Sequence, residues 1–351
     1  MKTAGLAAAL LATGLLAGCS TPGASDAEPR QVRVATFNAS LNRPAEGQLA
    51  TELHGENAQA RAVADVIDHN SPDVLLINEF DYSPEALDLF RENYLGGAYP
   101  YSFTAPVNTG VDSGLDLDSD GATGGPNDAF GFGQFPGQYG MVVLSKFPID
   151  TSGVRTFQNF LWKDMPDSLL PRDYYGANSD ALRLSSKSHW DVPVDIDGKT
   201  VHILASHPTP PSFDGPEDRN GKRNHDEIRL TADYIDGAGY LYDDNGVRGG
   251  LTQNASFVVL GDQNSDPVDG DSVAGSIQQL LDNPRIQDPA PTSGADGNTD
   301  TADFSDPTPG DLRVDYALPS ADLTVTGSEV FWPTDASHPS DHRMVWVDLK
   351  L

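Results

Sequence analysis

The sequence predicts an α/β sandwich folded as a single domain, and three observations carry that reading. Short apolar runs of strand length recur along the chain. Amphipathic helical segments alternate with them in the first half. The later segments are mainly strand and loop.

Residues 31–38 (QVRVATFN) alternate apolar and polar side chains and open the domain as a strand. A helix is expected over 56–70, with Ala62, Val63, Val66 and Ile67 on one face and Ser71-Pro72 as its stop. Residues 73–79 (DVLLINE) form a short apolar run, expected as a strand buried on both faces. Further buried strands are expected at 141–144, 201–205, 257–260, 314–318 and 344–349, and helices at 227–235 and 273–281. Two long loops, 106–138 and 288–311, are rich in Gly and Asp or in Asp, Pro and Thr. The domain therefore spans 31–351.

Ahead of it, Met1-Lys2 and an apolar stretch to Ala17 read as a signal peptide over residues 1–18. Leu16-Ala17-Gly18-Cys19 is similar to a bacterial lipobox, which implies cleavage before Cys19 and lipidation of that residue. Residues 19–30 then form a lipidated start and a flexible tether, giving an extracytoplasmic protein held to the membrane through its anchor alone. Cys19 is the only cysteine, so the domain has no disulfide and its stability rests on packing. The net charge of −30 disfavours a polyanionic partner. Phosphorylated small molecules or lipid-linked phosphates suit it better, with nucleic acid a weaker alternative substrate. The composition is silent on oligomeric state.

Several apolar runs end in polar residues suited to metal and phosphate chemistry: Asn38, Glu79, His207, Asp262 with Asn264, Asp315, and Asp341-His342. The segments ATFN, INEF, LSKFPI, ASHPTPP, LGDQNSDP, RVDYALPS and PSDHRMVWVDL resemble, in order, those of the endonuclease/exonuclease/phosphatase family. The resemblance implies a four-layer α/β sandwich, two mixed β-sheets face to face with helices outside. It also implies a metal-dependent phosphoric ester hydrolase using Mg²⁺ or Mn²⁺.

Hydrolysis of a phosphate ester needs a hard cation, activation of water and donors for the developing charge. Glu79 suits the cation, with Asn38 as a neutral ligand or a support for Glu79, and Asp341 as a further ligand. Asp262 suits activation of water, and Asn264 suits a hydrogen bond to a phosphate oxygen. Asp315 is expected to orient His342 and favour its charged form, and His207 is expected to be a second donor. The division of base and phosphate-binding roles between His342 and Asp262 stays open. Some family members carry an acidic residue where this chain has Ser40, which leaves the number of metals open.

Tyr139 and the basic group Arg183, Lys187, His189 and Arg223 flank these segments and are expected to contact substrate. The alternative is a packed aromatic and a mixed-charge surface helix. Asp116, Asp118, Asp120 and Gly121 spell the first half of a calcium loop, with Asn127 at the twelfth position and Asp128 next. A Ca²⁺ site over 116–128 is weighed there against a plain acidic loop.

Overall fold

The structure, a computed structural model, describes residue 1 and residues 30–294, 297–333 and 338–351. The expected signal peptide beyond Met1, Cys19 and all of the tether but Arg30 lie outside the described residues. No described helix is long and apolar enough to cross a membrane.

The chain runs β1 (Gln31–Leu41), α1 (Gln48–Leu53), α2 (Ala58–Asn70), β2 (Val74–Phe80), α3 (Pro84–Leu89), β3 (Tyr101–Phe103), β4 (Met141–Ser145) and β5 (Arg155–Thr156). It continues through α4 (Arg172–Tyr175), β6 (His189–Ile196), β7 (Lys199–Ser206), α5 (Arg219–Ile235), β8 (Ser256–Asp262) and α6 (Gln278–Leu281). The last elements are β9 (Ala302–Asp303), β10 (Asp311–Leu312), β11 (Asp315–Pro319), β12 (Thr324–Phe331) and β13 (Met344–Lys350).

One sheet has six strands in the order β12-β13-β1-β2-β4-β3, and the other has five, β11-β8-β7-β6-β5. Each contains one parallel pair, β1 with β2 and β7 with β8, among antiparallel neighbours. The strand period of two explains the layering. Val32 and Val34 of β1, Val74 and Leu76 of β2, and Val345 and Val347 of β13 pack in one cluster with Trp190, Val192, Val201, Ile203, Val258 and Leu260 of the other sheet. Their alternates, Ala35, Phe37, Leu75 and Ile77, pack under α1, α2 and α3. On the far side Phe257, Val259, Tyr316 and Leu318 pack with Ile228 and Ile235 of α5 and Leu280 of α6. The result is four layers, helix–sheet–sheet–helix, as the family resemblance implies.

The helix ends follow local chemistry. Asn57 caps α2 by accepting the Ala60 N–H at 2.9 Å, a contact worth about 1 kcal/mol, and Ser71 closes the helix with φ 47°. Two helix expectations need correction. The 227–235 helix begins eight residues earlier, at Arg219, because Asn224 and Glu227 are buried by hydrogen bonding rather than exposed. The 273–281 helix is confined to Gln278–Leu281, since Gly275 takes φ 89° and interrupts it.

Candidate active site

The alternation that builds the middle layer also aims the polar strand ends. Continuing the inward rows brings Val34 to Asn38, Val74 to Asn78, Ile203 to His207, Val258 to Asp262, and Ala317 back to Asp315. These five polar residues are buried between the sheets at one end, none more than 2% exposed. Asn38 stands opposite Asn78 in the parallel pair, and Asp315 stands opposite Asp262 in the antiparallel pair.

Hydrogen bonds tie the two sheets across this end. Asn38 Nδ2 donates to Asp262 Oδ2 at 3.1 Å, and the Asp262 N–H donates to Asn78 Oδ1 at 3.1 Å. The second Asp262 oxygen accepts the Asn264 N–H at 2.9 Å. Asn38 therefore serves Asp262 rather than Glu79, which corrects one of the two roles weighed for it. The Asn264 amide donates to the Pro208 carbonyl at 3.1 Å.

His342 sits beside this pair. Its Nδ1 is 2.8 Å from Asp315 Oδ2, and its Nε2 faces Asp262 Oδ2 at 3.6 Å. Burial works against a charged ring here, but Asp315 and Asp262 outweigh it and push the His342 pKa up to about 10. His342 is thus an imidazolium at neutral pH, donating to Asp315. Burial raises Asp262 to about 7, with His342 pulling down and Asp315 pushing up. Thr301 completes the set by donating its hydroxyl to Asp315 Oδ2 at 2.8 Å while accepting the Val314 and Asp315 N–H groups.

His207 behaves differently. Its Nε2 lies 3.5 Å from Asp262 Oδ2, too long for a hydrogen bond, and its buried Nδ1 has no partner among the described residues. Burial, then Lys187 and His342, hold its pKa well below the usual range, so the ring is neutral and carries a single N–H.

Four non-glycine residues around this end take left-handed backbone: Ser40 (φ 48°), Glu79 (φ 58°), Tyr139 (φ 56°) and Asn264 (φ 51°). Such conformations cost about 1–3 kcal/mol each and cluster where function requires them. At Glu79 the turn breaks the strand alternation and leaves the carboxylate half-buried, with Asn42 Nδ2 donating to Oε2 at 2.7 Å. No described Lys or Arg lies within ion-pair distance of it. A carboxylate with one amide partner and open lone pairs fits a hard divalent cation completed by water. Asp81, whose carboxylate accepts the Arg43 and Tyr139 N–H groups at 2.8 and 3.1 Å, fixes the loops on either side. Burial, then Glu79 and Asp81, raise the Tyr139 phenol, which stays neutral beside Glu79.

Asp341 is exposed, and its Oδ1 is 3.4 Å from the Ser40 hydroxyl. Asp262, Asp315 and His342 are close enough together to share an ion. Within this group His342 Nδ1 is already engaged with Asp315 Oδ2, whereas the Glu79 carboxylate has one described hydrogen-bond partner, Asn42.

The basic group divides. His189 faces away from the middle layer and is buried, with Nδ1 2.7 Å from the Ser185 hydroxyl and Nε2 2.9 Å from the Glu227 carbonyl. Arg223 donates to the carbonyls of Leu184, Phe130 and Arg183. Arg183 donates to Asn108 Oδ1 at 2.6 Å and lies over the Phe130 ring. These three hold the loops together, which corrects the expectation of substrate contact. Of this group, only the Lys187 ammonium has no hydrogen-bond or ion-pair partner among the described residues.

In the acidic loop, ligand oxygens of Asp116, Asp118 and Asp120 come together. Asp128 does not join them. It is buried, with Oδ1 accepting the Leu117 N–H at 2.8 Å and Oδ2 the Gly125 N–H at 3.1 Å, so it braces the loop rather than serving a cation.

Sequence reasoning missed Asn42, Asn78, Thr301, Asn224 and Glu227. The alternation of INEF held a signal for Asn78, which shares the inward row of Val74 and Leu76. The others act across distances no local pattern records.

The fold matches solved structures across most of its length. An endonuclease/exonuclease/phosphatase protein from Beutenbergia cavernae is similar at TM-score 0.57 and 20% identity, covering 92% of this chain and 72% of that one. A family protein from Leptotrichia buccalis gives 0.53 and 15%, covering 91% and 100%. The human Nocturnin catalytic domain gives 0.53 and 15%, covering 93% and 96%. No curated protein sequence matches the chain. The profile of the Endonuclease/Exonuclease/phosphatase family matches residues 35–342, from β1 to His342. The chain belongs to the Endonuclease/Exonuclease/phosphatase family.

Proposed function

We propose that this chain is a divalent-metal-dependent phosphoesterase that hydrolyses phosphodiester or phosphomonoester bonds by in-line attack of water. Its setting is extracytoplasmic, with lipidated Cys19 as the anchor. The observation that carries the catalytic reading is the buried line Asp315–His342–Asp262, held across the two sheets by Asn38.

A Mg²⁺ or Mn²⁺ ion at Glu79, with Asp341 as the further candidate ligand, would supply Lewis-acid charge to a phosphate oxygen. The chain's own groups do the rest. Asp262, ionised once its proton is lost, takes a proton from the attacking water. His342, held charged by Asp315, binds a phosphate oxygen and steadies the charge that grows there. His207, neutral, offers its single N–H to the leaving oxygen, and Asn264 lines the same opening. The Tyr139 phenol donates beside Glu79.

The charge of −30 favours small or lipid-linked phosphates over nucleic acid. Hydrolysis of bis-p-nitrophenyl phosphate, a p-nitrophenyl monoester, plasmid DNA and glycerophosphodiesters with MgCl₂ would test this. We expect the small esters to turn over and plasmid to be cut slowly. Preferential cutting of plasmid would make the protein a nuclease, and no hydrolysis with any divalent ion would reject catalysis.

A further inference from the structure

Lys187 lies two residues ahead of β6, whose first residue, His189, pairs with Ser206 at the His207 end of β7. It is 6% exposed. A buried ammonium costs several kcal/mol when uncompensated, so one retained at a site edge invites a reason. Among the described residues its Nζ makes no hydrogen bond and no ion pair within 4.0 Å.

Its surroundings are nevertheless anionic. Burial disfavours the charge, and Glu227, Glu79 and Asp262, in that order, are the carboxylates that favour it. Two of the three, Glu227 and Asp262, already accept other donors on both oxygens. Glu227, fully buried on α5, accepts the Ser186 N–H and the Thr209 N–H at 2.6 Å each, one on each oxygen. Asp262 is held by Asn38 and the Asn264 N–H. Asn224, one turn before Glu227, donates to the carbonyls of Thr209 and Gln263 at 2.9 Å. One helix face therefore pins the Lys187, His207 and Asn264 loops together, and the three ammonium donors have no acceptor among the described residues.

We propose that Lys187 is a catalytic residue whose ammonium binds a non-bridging oxygen of the phosphoryl group undergoing attack. The proposal rests on the phosphoesterase reading. In the reaction, the water oxygen forms the new bond to phosphorus and its proton passes to Asp262. The bond to the leaving oxygen breaks, and that oxygen keeps the electron pair, is hydrogen-bonded by His207 and takes its proton from solvent, to which Asp262 returns the one it accepted. Lys187 transfers no proton. It offsets the charge on the equatorial oxygens, on the side of the site occupied by Glu227 and His207.

The test uses the full chain with MgCl₂ and bis-p-nitrophenyl phosphate. Lys187→Met should lower kcat by about 100-fold or more, the scale of losing one transition-state donor, with Mg²⁺ affinity by calorimetry unchanged or tighter. Lys187→Arg should recover part of the loss. In the wild-type chain, Mg²⁺ with inorganic phosphate should slow acetylation of Lys187 by acetic anhydride relative to Mg²⁺ alone, with exposed Lys350 unaffected. Turnover of a folded Lys187→Met within about threefold of wild type, or no phosphate protection of Lys187, overturns the proposal. If the wild-type chain hydrolyses no ester, the phosphoesterase reading fails by itself, and the acetylation measurement still decides whether Lys187 meets phosphate. It decides equally if the variants do not fold.

Discussion

Replacing Asp315 with Asn removes one charge and keeps the side-chain shape. Asp315 is 1% exposed and lies 2.8 Å from His342 Nδ1. The rise of His342 from 6.5 to about 10 corresponds to about 5 kcal/mol in favour of the charged ring, at about 1.4 kcal/mol per pH unit. Burial is the largest influence and opposes the charge, so the carboxylates supply all of the gain, and Asp315 is the strongest of them. With Asn in its place, Asp262 and the weaker Asp341 must hold the proton against burial, and the ring returns to neutrality near pH 7. We predict a fall in kcat of about 10²–10⁴-fold, the range of a lost acid–base or charge-stabilising group, with Mg²⁺ affinity unchanged. The assay is Mg²⁺-dependent hydrolysis of bis-p-nitrophenyl phosphate, paired with NMR titration of the His342 ring. Turnover within about threefold of wild type, or a ring still titrating near 10, would refute the reasoning.

Asn38→Ala should cost about 10–100-fold in kcat, because a hydrogen bond to a charged group is worth about 1.5–3 kcal/mol, and steady-state kinetics would measure it. Glu227→Gln keeps one acceptor oxygen for the two N–H groups of Ser186 and Thr209. It should destabilise the domain by about 1–3 kcal/mol in urea melts as well as slow turnover. The raised His342 pKa sets a sign for stability: its contribution is full below pH 6.5 and is lost as pH climbs through about 10. Asp262, also raised, loses its contribution at lower pH, between 3.8 and about 7. Urea melts across the alkaline window should therefore show a decline that His342→Gln largely removes, and an identical decline in the variant would contradict the assignment.

The strands that carry the site were legible because each couples an apolar inward row to one polar end residue. Reading period two from Val34, Val258 and Ile203 leads to Asn38, Asp262 and His207, and the fold places all three between the sheets. β6 was not read as a strand, although Trp190, Val192, Val194 and Ile196 alternate inward. Pro193 obscured it, and is tolerated because β6 has only the two-residue β5 on its other side. β12, an edge strand with Gly, Ser and Glu among its residues, has only Val330 buried and offers little pattern to read. The basic cluster misled because sequence counts charges without showing their partners. His189 and Arg223 spend their donors on backbone carbonyls and a hydroxyl, while Lys187 keeps its own. The bond from Asn38 to Asp262 spans 224 residues, and no local pattern could have announced it.

Soaking crystals of the protein with MnCl₂ and recording anomalous scattering at the manganese edge would probe the assembled site most directly. We expect a peak on the Glu79 carboxylate. A peak confined to the Asp116–Asp120 loop, or none beside Glu79, would contradict it.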